Sequence, residues 1–160
     1  MPSHKSQYIL FVDGASRGNP GKAGVGIYVK KDDVAILKEG FSIGLATNNT
    51  AEYTALAAGL FLLAQRAANA GDTEYNIKVH SDSQLLVRQI QGIYRVKTPH
   101  IERLKLFCEK LLQNKTYTIE HVRRENNSVA DELANVGIDK KYKLPEDFLK
   151  LAAQNNVQVG

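Results

Sequence analysis

Tyr8-Ile-Leu-Phe-Val-Asp-Gly14 is the stretch of sequence that decides the fold. Its first five residues are apolar, so both faces of a strand formed by them would be apolar, which is typical of a central, buried strand. The strand is expected to end at Asp13, because an Asp-Gly pair commonly forms a turn. An acid therefore follows directly on the innermost strand of the predicted sheet.

The residues that follow predict two more strands in a meander. These strands, at residues 24–31 and 35–44, are joined at Asp32-Asp33, a junction short enough only for an antiparallel hairpin. The glycine-rich segment Arg17-Gly-Asn-Pro-Gly21 is expected to be the loop before them. The first half of the sheet is therefore predicted to be antiparallel.

The spacing of the apolar residues then changes from that of strands to that of helices. Glu52, Leu56, Leu60, Leu63 and Ala67 recur at steps of four, four, three and four, which marks one face of a helix over residues 49–70. Strands separated by helices are parallel neighbours or nearly so, which makes the fold class α/β with a mixed sheet. The remaining predicted elements are strands at residues 76–81 and 116–122 and helices at residues 83–91, 99–114, 128–139 and 145–155.

The length and the composition favour one domain. A chain of 160 residues that is 43% apolar can bury one substantial core, and it is short for two. We expect a single domain over residues 1–160, with its core at about residues 8–139 and a C-terminal tail with a short helix at residues 140–160.

The charge and the single cysteine indicate the kind of partner and the compartment. Lys and Arg number 21 against 17 Asp and Glu, and this net charge of +4 favours a polyanionic partner. Cys108 has no second cysteine to pair with, which favours a reducing compartment. The chain has no apolar run of about 18 residues, and Met1 to Gln7 lacks the apolar stretch of a signal peptide, so we expect a soluble, cytoplasmic protein.

Four acids lie at the ends of predicted elements, and each of them also has a purely local explanation. Asp13 and Asp82 follow strands, whereas Glu52 and Asp131 lie near the starts of helices. The local explanations are a turn for Asp13, capping boxes with Asn49 and Ser128 for Glu52 and Asp131, and a helix cap formed by Asp82, Ser81 or Ser83.

Taken together, these acids predict a metal site. Ligands of open α/β sheets bind outside the carboxyl ends of the strands, where the following helices also begin. Two carboxylates about 4 Å apart repel each other by roughly 4 kcal/mol at an effective dielectric constant of about 20, so a cluster of four needs cations. Carboxylate oxygens favour Mg²⁺ or Mn²⁺ over zinc. Such ions, with phosphate oxygens completing their coordination, are used by enzymes that cleave phosphodiesters by a two-metal mechanism.

Four motifs of the chain resemble those of ribonuclease H of type 1. They occur in the order and at the spacing of that family, and with the elements between them they cover about residues 8–136. The combination is highly specific, although a lone Asp-Gly pair would mean nothing. The motifs are Phe11-Val-Asp-Gly-Ala-Ser-Arg-Gly-Asn-Pro-Gly21, Thr47-Asn-Asn-Thr-Ala-Glu-Tyr53, Ser81-Asp-Ser-Gln84 and Asn127-Ser-Val-Ala-Asp-Glu-Leu-Ala134.

The resemblance implies a fold, a reaction and a set of site residues. The fold is a ribonuclease H-like, five-stranded mixed sheet of order 3-2-1-4-5 flanked by helices. The reaction is hydrolysis of the RNA strand of an RNA/DNA hybrid with two Mg²⁺ ions, for which Mn²⁺ can substitute, leaving 3′-hydroxyl and 5′-phosphate ends; a monomer is expected. By position, the metal ligands are Asp13, Glu52, Asp82 and Asp131.

The resemblance also implies that four side-chain amides contact the hybrid. An amide both donates and accepts hydrogen bonds, as the 2′-hydroxyl of RNA does, which suits recognition across a shallow minor groove. The local alternatives are a turn at Asn19-Pro20 and a helix cap at Asn48 or Asn49. The four amides are Asn19, Asn48, Asn49 and Gln84.

The chain departs from many members of the family in two places, which indicates a compact branch. The loop Arg123-Arg-Glu-Asn-Asn-Ser128 is short and has no histidine. Arg124 is predicted to contact a phosphate of substrate or product, with a solvated surface charge as the alternative. The basic, Trp-containing protrusion is missing at residues 92–99, where Tyr94, Arg95 and Lys97 are predicted to replace part of its grip on the DNA strand. The histidines stay unassigned: His4, His80, His100 and His121.

The sequence is also compatible with two other functions. A nuclease of the same fold can have another substrate, such as double-stranded RNA, because fold does not determine function. A non-catalytic nucleic-acid-binding module would be expected to have lost at least one of the acids, and all four are present. The predicted function is therefore a metal-dependent endoribonuclease acting on RNA/DNA hybrids.

Overall fold

A five-stranded mixed sheet forms the centre of the molecule. In this computed structural model, residues 5–159 are described; residues 1–4, with His4, and residue 160 of the predicted domain lie outside them. The strand order is β3-β2-β1-β4-β5, which confirms the predicted order 3-2-1-4-5. β1 is antiparallel to β2 and parallel to β4, and β5 is parallel to β4. The strands are β1 Ser6–Gly18, β2 Gly21–Lys31, β3 Val34–Ala46, β4 Tyr75–Ser81 and β5 Thr116–His121.

Each helix predicted from the sequence is present, with ends that differ by at most two residues from those expected. A 3₁₀ turn at Arg124–Asn127, which was not predicted, precedes the fourth helix. Among residues 5–159, no helix combines the length and apolar character that crossing a membrane requires. The helices are α1 Asn48–Asn69, α2 Gln84–Ile90, α3 Pro99–Leu112, α4 Ser128–Lys140 and α5 Glu146–Gln154.

The prediction that the first strand ends at Asp13-Gly14 is wrong. β1 continues to Gly18 and is paired with β2 from Tyr8 to Gly18, so the loop expected before β2 is reduced to the turn at Asn19-Pro20. The pairing of β1 with β4, in contrast, ends at Val12↔Ser81. Turn propensity is local, whereas a long antiparallel neighbour supplies hydrogen bonds that extend the strand.

Helices cover both faces of the sheet. On one face α1 packs on Leu10 and Val12 of β1, and α3 packs on α1, where Cys108 is buried as expected. On the other face α4 packs on β2 and β3. Directly opposed residues of paired strands point to the same face, so Asp13, which is opposite Gly26, lies on the α4 side.

The close approach of α4 to the sheet depends on Gly26. A Cβ atom at this position would collide with the carbonyl oxygen of Ala130, so no larger residue fits without a shift of the helix. Ala130 precedes Asp131 in α4, and Gly26 is the strand partner of Asp13. The absence of a side chain at residue 26 therefore allows Asp131 to lie close to Asp13.

The C-terminal helix contributes to the same hydrophobic core as the sheet. Phe148 of α5 is 1% exposed, and its ring centroid lies 5.4 Å from that of Phe61 and 6.0 Å from that of Phe107. Leu144, Ala152 and Val157 are buried in the same cluster. The tail predicted after residue 139 is thus packed against α1 and α3.

We predict that Phe148→Ala lowers the free energy of unfolding by about 3–5 kcal/mol, because it removes a buried ring and leaves a cavity between α1 and α3. Urea unfolding monitored by circular dichroism measures this. Leu149→Ala is the matched control: Leu149 is 39% exposed, and its loss should change stability by about 0.5 kcal/mol or less. Equal effects of the two substitutions would contradict the packing described for α5.

Candidate active site

Asp13 and Asp82 lie side by side where β1 and β4 separate. Val12↔Ser81 is the last pair of the parallel register between β1 and β4. Asp13 follows Val12 within β1, and Asp82 follows Ser81, the last residue of β4. Asp13 is 5% exposed and Asp82 is half-buried. Ser83, one of the three candidates, caps α2 by accepting a hydrogen bond from the N–H of Leu86. The carboxylate of Asp82 is therefore not used as the cap of this helix.

Glu52 approaches from α1, on the opposite face of the sheet from α4. The capping box considered as its local alternative does not form: Thr47 is the N-cap and accepts from the N–H of Thr50 at 3.2 Å, which makes Glu52 the fifth residue of the helix. Its Oε1 accepts a hydrogen bond from the N–H of Gly14. Gly14 touches the α1 backbone so closely that a Cβ atom would collide with Ala51.

Ligand oxygens of three acids converge at this point. One carboxylate oxygen each of Asp13, Glu52 and Asp82 can be chosen so that all lie within 4.8 Å of one another. Asp131, in the first turn of α4, lies beside them and lines the same groove. The structure thus brings all four predicted acids together, from two strands and two helices.

The proximity of these acids changes their titration. Burial raises the pKa of the Asp13 carboxyl well above its usual range, and the neighbouring charges of Glu52, Asp82 and Asp131 raise it further. Burial also raises the pKa of Glu52, while the hydrogen bond from the N–H of Gly14 acts in the opposite direction. In the absence of cations the cluster therefore retains protons that an exposed acid would release.

The acids line an open groove of about 1010 Å³ together with three of the four predicted amides. Asn19 is linked to the start of α1, where its Oδ1 accepts from the N–H of Asn48 at 3.1 Å. Asn48 and Asn49 are the first two residues of α1, and the cap expected at one of them is Thr47. Gln84, the first residue of α2, is exposed and is not among the described residues that line the groove.

One buried oxygen in the groove lacks a partner. The Oδ1 atom of Asn49 accepts no hydrogen bond from any residue within 5–159. A buried acceptor left unpaired is unfavourable by about 1–3 kcal/mol. Because Asn49 lines the groove, this unfavourable arrangement lies close to the acids.

Arg124 also lines the groove, as expected for a residue close to a bound phosphate. Two residues that the sequence did not single out are placed at or beside the site. His100, next to the N-terminus of α3, lines the groove, and no spacing in the sequence indicated it. Asn127 lies buried at the start of α4, and its signal was its place four residues before Asp131 in the last motif.

Comparisons with known proteins agree on one family. The family described as reverse transcriptase-like matches residues 11–137. Ribonuclease HI of Halobacterium salinarum is 39% identical over 141 residues, which cover 87% of this chain and 68% of that protein. A bifunctional protein of Mycobacterium tuberculosis, Rv2228c, is 40% identical over 134 residues, and the match covers 82% of this chain but only 35% of that longer protein.

A solved structure extends the agreement to the fold. The crystal structure of LC11-RNase H1 in complex with an RNA/DNA hybrid superimposes with a TM-score of 0.76 at 36% identity, covering 83% of this chain and 97% of that one. The shared sheet order, the extent of the match and the identity to the Halobacterium enzyme all point the same way. The chain belongs to the ribonuclease HI family, the type 1 ribonucleases H.

Proposed function

We propose that the protein is an endoribonuclease that hydrolyses the RNA strand of RNA/DNA hybrids by a two-metal-ion mechanism, as a monomer, and leaves 3′-hydroxyl and 5′-phosphate ends. The observation that carries the proposal is the cluster of Asp13, Glu52 and Asp82, with Asp131 beside it, in an open groove. Family membership supports the reaction class, because the relatives include proteins named ribonuclease HI.

The chemistry of the donor set fits Mg²⁺. The cluster consists of carboxylates, which are hard oxygen ligands, whereas zinc sites are built mainly from Cys and His. We infer that Asp13, Glu52, Asp82 and Asp131 would hold the ions, with Mn²⁺ as a substitute. When bound, the ions supply an activated water and a stabilised leaving oxygen.

The protein's own residues would prepare the site for this chemistry. The N–H of Gly14 orients the Glu52 carboxylate, and the buried acids, whose pKa values are raised, would lose their protons when a cation binds. The net charge of +4 includes these acids, so the rest of the molecule is more positive still and attracts the nucleic acid. A cation at the cluster and a basic body together suit a phosphodiester.

Recognition of RNA is assigned to the amides. Asn49 lines the groove, and a side-chain amide can bond to a 2′-hydroxyl where the DNA sugar has only hydrogen. Asn19 and Asn48 line the same groove, joined by their hydrogen bond. Gln84, exposed at the start of α2, stays a predicted contact at the groove's margin. The complex of LC11-RNase H1 with an RNA/DNA hybrid supports this substrate.

A substrate comparison tests the proposal directly. Labelled RNA/DNA, RNA/RNA and DNA/DNA duplexes are incubated with the protein in Mg²⁺, Mn²⁺ or EDTA. Cleavage of the RNA strand of the hybrid, dependent on metal, is expected, and gel mobility against standards identifies the ends. Cleavage limited to DNA/DNA, or unchanged in EDTA, would contradict the proposal, while cleavage of RNA/RNA would widen the substrate class.

Asp13→Asn should abolish cleavage and yet stabilise the metal-free protein. A carboxyl whose folded pKa is raised stabilises the fold fully below its unfolded pKa and loses that contribution as pH rises through the folded pKa. In EDTA, the melting temperature of the wild type should therefore fall from pH 5 to pH 9 relative to the variant. By pH 8 the variant should be more stable by at least about 1.4 kcal/mol, the equivalent of one pKa unit.

The control for this measurement is Asp33→Asn, which changes an exposed acid in the β2–β3 hairpin. This variant should keep full activity and the pH dependence of the wild type. Addition of Mg²⁺ should restore the stability of the wild type at high pH and leave Asp13→Asn almost unaffected. If the melting temperatures of Asp13→Asn and the wild type show the same dependence on pH, the raised pKa of Asp13 is contradicted.

Arg124→Ala should weaken substrate binding more than turnover, because a groove-lining cation meets a phosphate in both ground and transition state. We expect KM to rise roughly threefold to tenfold, and the dependence of log KM on log salt to flatten by about one phosphate equivalent. Steady-state kinetics at several salt concentrations measure both. Arg123→Ala, an exposed neighbour, is the control, and equal effects of the two variants would refute a specific role for Arg124.

A further inference from the structure

Asn127 connects the start of α4 to β1 directly behind the site. Its side chain is 1% exposed, and its Nδ2 donates a hydrogen bond of 2.9 Å to the carbonyl oxygen of Val12. Val12 precedes Asp13 in β1, and Asn127 lies one helical turn before Asp131. One buried hydrogen bond thus joins the two backbone segments that carry these acids.

The orientation of Asn127 does not serve the helix that it begins. Asn is among the preferred N-cap residues because its side chain normally accepts from the first free N–H groups. Asn127 occupies the N-cap of α4, yet its side chain makes no such bond to any of the described residues. The amide points across to the strand instead, so local helix stability does not explain the arrangement.

The remaining polar atom of this side chain is also unusual. Its Oδ1 is buried and has no hydrogen-bond partner within the described part of the chain. Unpaired buried acceptors are rare in native proteins and are retained mainly where a function demands the geometry. An apolar residue at this position would avoid the unpaired acceptor but would lose the bond to Val12.

We propose that Asn127 is a positioning residue that sets the distance between the carboxylates of Asp131 and Asp13 and thereby the affinity of the site for divalent cations. The inference rests on the proposed function, since it concerns the same site. Two restraints act together: the contact of Gly26 with Ala130 fixes how close α4 comes, and Asn127 fixes where along β1 its first turn lies. Gly26 acts because it has no side chain, whereas Asn127 acts through a hydrogen bond, which requires a particular orientation.

Asn127→Ser separates positioning from folding. Ser is a good N-cap, so it can support α4 locally, but it is too short to reach Val12. Mg²⁺ binding is followed by the rise in melting temperature on titration and by calorimetry, neither of which depends on activity. The Mg²⁺ concentration for half-saturation should rise about 10- to 100-fold, as is typical when support of a metal ligand is lost. Asn126→Ser, an exposed neighbour in the same 3₁₀ turn, should leave it unchanged.

Asn127→Leu provides a second variant, of similar side-chain volume, in case the serine protein does not fold. Its side chain cannot donate to Val12 and adds no charge. Weaker Mg²⁺ binding in this variant supports the proposal. Unchanged or tighter binding overturns it, as does unchanged binding in Asn127→Ser.

Mg²⁺ titration distinguishes failure of the proposed metal site from failure of the role proposed for Asn127. If the wild type itself shows no Mg²⁺-dependent rise in melting temperature, the metal site of the proposed function fails. If the wild type binds Mg²⁺ and the Asn127 variants bind it equally well, only the positioning role fails. A double-mutant cycle gives a further check: in an Asp131→Asn background, Asn127→Ser should have little further effect on Mg²⁺ affinity.

Discussion

The site depends on one constraint of the sheet: after Val12, strand β1 keeps β2 as a neighbour and loses β4. The antiparallel register continues through Asp13↔Gly26, whereas the parallel register ends at Val12↔Ser81. Asp13 is therefore fixed by a strand on one side and open on the other. The start of α1 reaches this opening from one face of the sheet and the start of α4 from the opposite face, so acids from distant parts of the sequence meet there.

The same arrangement concentrates charge where the protein cannot easily stabilise it. Burial and mutual repulsion raise the pKa of both Asp13 and Glu52. The fold offsets part of this for Glu52 through the N–H of Gly14, whereas Asp131, in the first turn of α4, raises the pKa of Asp13 further. The offset is incomplete, so a divalent cation held by these acids would stabilise their charged forms.

Local patterns predicted most elements but misplaced those whose ends depend on distant neighbours. The apolar stripe through Leu56 and Leu60 identified α1, because such a period reflects one buried face. Its N-cap is Thr47 and not Asn48 or Asn49, the local alternatives, because the path of the chain decides which residue caps the helix. The extension of β1 to Gly18 was missed for the same reason, because it depends on pairing with β2.

The sequence by itself predicted the four acids and the compact form of the loop before α4, because these depend on residue types at given spacings, and the resemblance of its motifs to those of ribonuclease H implied the sheet order. Only the tertiary structure decided from which face of the sheet each acid approaches and that α4 packs closely on Gly26. It also decided that the side chain of Asn127 bonds to Val12 and does not cap α4. Spacing along the chain carries no information on a contact between residues 12 and 127. Such a contact exists only when packing brings a strand end and a helix start together.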